Sequence, residues 1–187
     1  MKLLFVLYDL STGGAQKSLI DWALIMSEQR NIDVRILFIK ASNFENRQIK
    51  SISLDAKSLR QSFKSFIKEV NLIKPDLVIS TMFGTGILLL ITKLIYPFKF
   101  HYIYREASNI KKSRSLINRL KTYLIIFFSK KSTFNSNYQF NFYKKFFHSK
   151  ISYIPNLIKN GRPIIKNRKK GVIMVGRSSK VKRFELG

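Results

Sequence analysis

Two adjacent glycines lie in the segment Ser11-Thr12-Gly13-Gly14-Ala15, between a short apolar run and a stretch of helical periodicity. Without Cβ atoms, Gly13 and Gly14 let the backbone approach a ligand closely, and the unpaired amides of a helix's first turn favour phosphate or carboxylate. A simple tight turn uses the same two residues, so the pair alone leaves both readings open. Its spacing is not Gly-x-Gly-x-x-Gly, which disfavours a dinucleotide site of that type. The chain has no cysteine and two histidines. Thiolate ligands and cysteine nucleophiles are therefore excluded, and no metal is expected. His101 falls within an apolar run and His148 at a Lys-rich helix end, neither with a carboxylate partner close by in sequence, so both read as structural.

The elements that must position the glycines follow from periodicity. Short runs rich in Val, Ile and Phe alternate with longer helical stretches, the pattern of parallel strands joined by crossover helices in an α/β fold. Strands are predicted at Leu3–Tyr8, Val34–Ile39, Leu77–Ser80, Phe100–Tyr104, Ser132–Asn135 and Ile151–Ile154. Helices are predicted at Ala15–Gln29, from Leu59 to Ile73, and at Gly84–Ile95, Leu116–Phe128 and Tyr138–Phe147. Asp9 ends the first apolar run after six residues, so that run reads as a strand and not as a signal peptide. Ile87–Ile95 is interrupted by Lys93 and is far shorter than the ~20 residues that span a bilayer. The Pro, Gly and Lys/Arg content of 160–170 marks an exposed connector, after which Val172–Val175 starts a new strand and Ser179 a helix.

The formal net charge is +25 and is unevenly distributed. Residues 1–76 hold 12 Lys/Arg against 8 Asp/Glu, and residues 77–187 hold 23 against 2. Such a field attracts anionic partners, whether a phosphorylated donor, nucleic acid or an acidic membrane; compositional bias explains part of it equally well. Between 111 and 131, Lys111, Lys112, Arg114, Arg119, Lys121, Lys130 and Lys131 interleave with Leu116, Ile117, Leu120, Tyr123, Leu124, Phe127 and Phe128. One reading lays this helix on an anionic membrane. The other turns its apolar side into the core as an ordinary crossover helix. Phe142, Tyr143, Phe146 and Phe147 beside Lys144 and Lys145 suggest a rival class, a basic nucleic-acid-binding protein, although no recognised nucleic-acid motif accompanies them.

Taken in order, Gly13-Gly14-Ala15-Gln16-Lys17, Pro75-Asp76-Leu77-Val78-Ile79, Arg105-Glu106, Ile154-Pro155-Asn156 and Val175-Gly176-Arg177-Ser178-Ser179-Lys180-Val181-Lys182 resemble landmarks of the family 4 glycosyltransferases. The resemblance covers nearly all of this chain and about half of such an enzyme. It implies the N-terminal half of a GT-B fold, with a Rossmann-like acceptor-side domain over 1–157, a basic linker over 158–170, and the truncated start of a donor-binding domain over 171–187. It further implies transfer of a sugar from a nucleotide-sugar donor to a glycan or lipid-linked acceptor, in polysaccharide, lipopolysaccharide or glycolipid assembly. No cofactor or metal is implied, the nucleotide sugar being substrate. By motif position Gly13 and Gly14 would approach the donor phosphates or the transferred sugar, and Arg177 and Lys182 would bind the pyrophosphate, whose developing charge cations can stabilise. Arg105 would bind an anionic acceptor group, and Glu106 would orient a sugar hydroxyl or act as base; a salt-bridged loop is the equal alternative. Lys111, Lys112, Arg114, Arg119 and Lys121 would face the membrane, giving a cytoplasmic protein held peripherally on the inner face.

The chain departs from that pattern at Gln16, where the family has Glu, and at Arg183, where it has Gly. A downstream pair of glutamates seven residues apart, which in the family contacts sugar and ribose, does not occur before Gly187. With half a cleft, the isolated chain is expected to be inactive, because transfer needs both substrates oriented together. Two other classes remain as alternatives: the nucleic-acid binder, and a non-catalytic lipid- or glycan-binding remnant.

Overall fold

A computed structural model describes residues 1–10, 14–96, 100–107 and 115–156. Its centre is the run Leu3–Leu7, five consecutive buried apolar residues of β1 (Lys2–Leu7). A strand with apolar side chains on both faces must be covered on both, as in parallel sheets packed between helix layers. The chain then alternates: α1 (Gly14–Ser27), β2 (Asp33–Phe38), β3 (Lys50–Ser53), α2 (Leu59–Ile73), β4 (Leu77–Thr81), α3 (Phe83–Ile95), β5 (His101–Glu106), α4 (Leu116–Phe128), β6 (Lys131–Phe134), α5 (Asn137–Phe147) and β7 (Ile151–Tyr153). All seven strands join one parallel sheet in the order β3-β2-β1-β4-β5-β6-β7.

Alternate residues of β1, β2, β4 and β5 enter different cores. Leu4, Val6, Val78, Tyr102 and Tyr104 pack with Phe66 and Val70 of α2, Leu88 and Leu89 of α3, and Ile125 of α4. Leu3, Phe5, Leu7, Ile36 and Ile79 pack with Leu19, Trp22 and Ala23 of α1. Ile126, Phe134, Tyr143 and Ile151 form a smaller cluster that seats α5.

Local chemistry fixes the joints. Ser58 caps α2 by accepting from the Gln61 amide at 3.3 Å. Lys74 closes the same helix in the left-handed region (φ 50°), donating its N–H to Val70 O. Pro75 cannot continue the helix, and Asp76 then bridges two strands: its Oδ2 accepts from the Lys2 amide at 2.7 Å and its carbonyl accepts from the His101 amide at 3.0 Å. A Cβ on Gly86 would lie 2.8 Å from the Tyr104 ring and 3.2 Å from Ile125 Cδ1, so a bare Cα lets α3 settle onto β5 and α4.

The predicted strands and helices are present to within a few residues at their ends, with two differences. Lys50–Ser53 forms the edge strand β3, which the sequence does not announce because Ile52 is its lone apolar residue. The hydroxyls of Ser51 and Ser53 instead donate to the Phe44 and Ser42 carbonyls, fastening the strand to its own lead-in loop. β5 also runs two residues beyond the predicted Tyr104, taking in Arg105 and Glu106. Among the described residues no helix is long and apolar enough to cross a membrane. The expected connector, Val172–Val175 and the helix from Ser179 lie outside the described residues.

Candidate functional site

In a parallel sheet every strand ends on the same edge, and ligands bind where the strand order reverses direction. Here that point is between β1, from which the chain proceeds to β2 and β3, and β4, from which it proceeds the opposite way. Gly14 opens α1 just beyond β1, and a Cβ placed on it would meet no heavy atom within 4 Å. Among the described residues nothing crowds Gly14 on that side, and the first-turn amides of α1 beside it favour an anion. Gly13 lies outside the described residues, as do Arg177, Lys182, Lys111, Lys112 and Arg114.

Asp9 and Gln16 brace the two ends of this loop. The Asp9 amide donates to Gln16 Oε1 at 3.0 Å, and Gln16 Nε2 donates back to Asp9 Oδ1 at 2.6 Å. A carboxamide can accept and donate in one such exchange; a carboxylate cannot donate. The glutamine found where the resembled family has glutamate is therefore matched to Asp9.

Across the crevice, β4 ends in strained backbone. Met82 has φ 74° and ψ 145°, a region L residues avoid at a cost of roughly 1–3 kcal/mol. Thr85 holds it from the first turn of α3, donating its hydroxyl to the carbonyls of Thr81 and Met82. The Thr81 hydroxyl donates to the Arg105 carbonyl at 3.1 Å, linking the ends of β4 and β5.

Arg105 and Glu106 occupy the last two positions of β5, and both side chains have 0% exposure. This differs from the loop expected from sequence. The Arg105 guanidinium lies over the Trp22 ring at 4.3 Å and donates through Nη2 to Asn156 Oδ1 at 2.7 Å and to Ser18 Oγ at 3.5 Å. Its Nη1 donates to the Ile154 carbonyl at 3.3 Å. These acceptors are neutral, so burial pushes the guanidinium pKa below its ordinary value. Glu106 projects to the opposite face, where Oε2 accepts from the Tyr104 hydroxyl at 2.7 Å. In the described residues Arg105 is thus a clamp joining α1, β5 and the Ile154-Pro155-Asn156 segment, and not part of a salt-bridged loop.

Trp22, Ser18 and Met82 were not singled out from sequence. Ser18 and Trp22 are four residues apart and so share a face of α1, a signal that becomes readable only once a buried arginine is known to meet that face. His101 is exposed at the other end of β5 from Arg105, and His148 is exposed after α5. Arg119 is half-buried and Lys121 exposed on α4. Among the described residues no group of three or more His, Asp or Glu side chains is placed to hold a metal ion.

This architecture is a Rossmann-like α/β fold of the GT-B type, shared with glycosyltransferases and with nucleotide-sugar epimerases. The chain is similar to UDP-GlcNAc 2-epimerase from Methanocaldococcus jannaschii (TM-score 0.58, 18% identity, covering 83% of this chain and 46% of that one). It is similar to Anabaena Alr3699/HepE, solved in complex with UDP-glucose (0.60, 16%, covering 83% and 44%), and to the apo form of the lipopolysaccharide outer core galactosyltransferase WaaB (0.61, 13%, covering 84% and 46%). It spans less than half the length of each of these structures. No protein-family model matches the chain, and no curated protein matches it in sequence.

Proposed function

We propose that this chain forms the acceptor-side domain of a family 4-like glycosyltransferase, moving a sugar from a nucleotide-sugar donor to a glycan or lipid-linked acceptor. One observation carries the reading: Gly14 opens α1 beside the β1–β4 switch point with no described atom within 4 Å of where its Cβ would lie, in a fold shared with a protein crystallised with UDP-glucose. In this reading Gly13 and Gly14 admit the donor phosphates or the sugar, and Arg177 and Lys182 pair with the pyrophosphate as the leaving nucleotide gains charge. Arg105 and Glu106 shape the acceptor edge from beneath, since both are buried and internally bonded. The ordered landmarks from Gly13-Gly14 to Lys182 favour transfer over epimerisation.

Calorimetry with UDP-sugars and with glycan acceptors tests the reading. Binding of either is expected, and Gly14→Val is expected to weaken it by about tenfold or more, because the new side chain fills open space the ligand needs. The folding stability of that variant should change little. Binding unaffected by Gly14→Val would place the ligand elsewhere and overturn this site. Conversion of UDP-GlcNAc without any acceptor would point to epimerase chemistry. Salt-sensitive RNA binding with no response to nucleotide sugars would favour the nucleic-acid reading.

A further inference from the structure

Arg105 is a cation that the fold removes from water without supplying an anion. Its side chain has 0% exposure, and its acceptors are the Ile154 carbonyl, the Asn156 side-chain oxygen and the Ser18 hydroxyl, with the Trp22 ring against the guanidinium. Its Nε has no partner. Among the described residues no carboxylate is within ion-pair distance of it, and Glu106 projects to the other face of the sheet. A neutral side chain could join neutral acceptors, whereas an unpaired buried guanidinium carries a desolvation cost. Keeping the charge there calls for something that uses it.

The start of α1 is close enough to do so. Ser18, which the guanidinium meets at 3.5 Å, is one turn beyond Gly14 on the same face, ~6 Å along the helix axis. The guanidinium is therefore on the order of 10 Å from the first-turn amides. Both stand at the same edge of the sheet: Gly14 follows β1, Arg105 is the penultimate residue of β5, and the Thr81 hydroxyl ties the end of β4 to the Arg105 carbonyl. Two other charged residues lie near Gly14 in the chain. Asp9, whose carboxylate accepts from Gln16 Nε2, opposes an anion. Lys17, exposed in the first turn of α1, attracts one, but salt screens a surface charge. Arg105 differs from both in being buried, and a charge acting through protein is felt more strongly and screened less than one acting through water.

We infer that Arg105 is a fixed counter-charge, strengthening the hold of the α1 N-terminus on a phosphate-bearing ligand without touching it. The inference rests on the reading of the Gly14 edge as the donor-phosphate site. It gives the Arg105 clamp an electrostatic role beside its structural one.

Calorimetry of the 187-residue chain with inorganic pyrophosphate and inorganic phosphate tests it, with circular dichroism to check the fold of each variant. Arg105→Met keeps the bulk and removes the charge. It is expected to weaken pyrophosphate binding by about tenfold and phosphate binding by less, since the interaction scales with ligand charge. That loss should persist at about 1 M salt, where the Debye length is ~3 Å, whereas the smaller loss in Lys17→Gln should vanish there. Arg105→Lys, compared with wild type at each pH, should bind normally in mild acid and approach the methionine variant as rising pH deprotonates a buried ammonium. Equal losses in the two Arg105 variants at every pH overturn the inference, because shape alone would then explain them. A loss in Arg105→Met that disappears with salt also overturns it, as does a wild type that binds no pyrophosphate. If Arg105→Met fails to fold, Asn156→Ala loosens the same contact while keeping the charge: unchanged pyrophosphate binding supports the counter-charge, and a clear loss overturns it. The transfer reading fails separately. Pyrophosphate binding that depends on Arg105, with no response to UDP-glucose, keeps the counter-charge and removes the sugar donor; UDP-glucose binding indifferent to Arg105→Met does the reverse.

Discussion

Helices α2 and α4 have similar length and similar serine caps, and both mix apolar with basic residues, yet α4 leaves far more of its apolar surface exposed. In α2, Phe66, Ile67, Val70 and Ile73 turn inward and Lys64 and Lys68 outward. In α4 the inward face holds Thr122, Ile125 and Ile126, and the wider apolar arc is turned out. Amphipathic periodicity therefore identifies a helix without saying which of its apolar faces meets the core. A helix with more apolar residues than one contact can use must leave some exposed.

The contrast is broken most severely at α2. Phe66→Ala removes a fully buried ring and is expected to cost about 3–5 kcal/mol in urea unfolding. A loss below ~1 kcal/mol would mean that α2 is not seated as described. Next is the seat of α4: Gly86→Ala pushes a methyl into Tyr104 and Ile125, with an expected cost of about 1–3 kcal/mol. Alkaline pH probes the same joint. Tyr102 donates its hydroxyl to the Ile125 carbonyl at 2.8 Å, and burial raises its pKa above the ordinary value. A phenol whose pKa is raised by folding contributes stability that is full below its unfolded pKa, near 10, and declines as pH rises toward the folded one. Stability should fall by up to ~1.4 kcal/mol per pH unit above 10, a slope lessened in Tyr102→Phe.

Smaller effects sharpen the comparison. Ser58→Ala and Ser115→Ala each remove a side-chain cap, accepted at 3.3 Å in α2 and 3.4 Å in α4, and each should cost about 1 kcal/mol. Unequal costs would show that the helices differ in more than orientation. Smallest of all, Phe127→Ala should change stability by no more than ~0.5 kcal/mol, the mark of a residue outside the core.

The alternation of strands and helices was legible because buried parallel strands need runs such as Leu3–Leu7, which no surface segment would carry. β3 was not, since an edge strand tied by serine hydroxyls leaves no apolar signature. The glycine loop was legible by its place between a strand and a helix. The roles of Arg105 and Glu106 were not, because two adjacent charges after an apolar run look like a loop. Only the partners on α1 and after β7 show that one of them belongs inside the sheet. The outward stripe of α4 was visible as composition, but its direction depended on how much surface the neighbouring α3 and β5 had left to cover.

The Arg105 clamp also has a mechanical consequence. β7 is three residues long and pairs with β6 alone, so its own ladder is a weak anchor for whatever pulls on the chain at Asn156. Arg105 grips both the Ile154 carbonyl and the Asn156 side chain from two strands further in, with Trp22 stacked behind it. Tension at Asn156 is thereby shared past the short edge strand with β5 and the first helix.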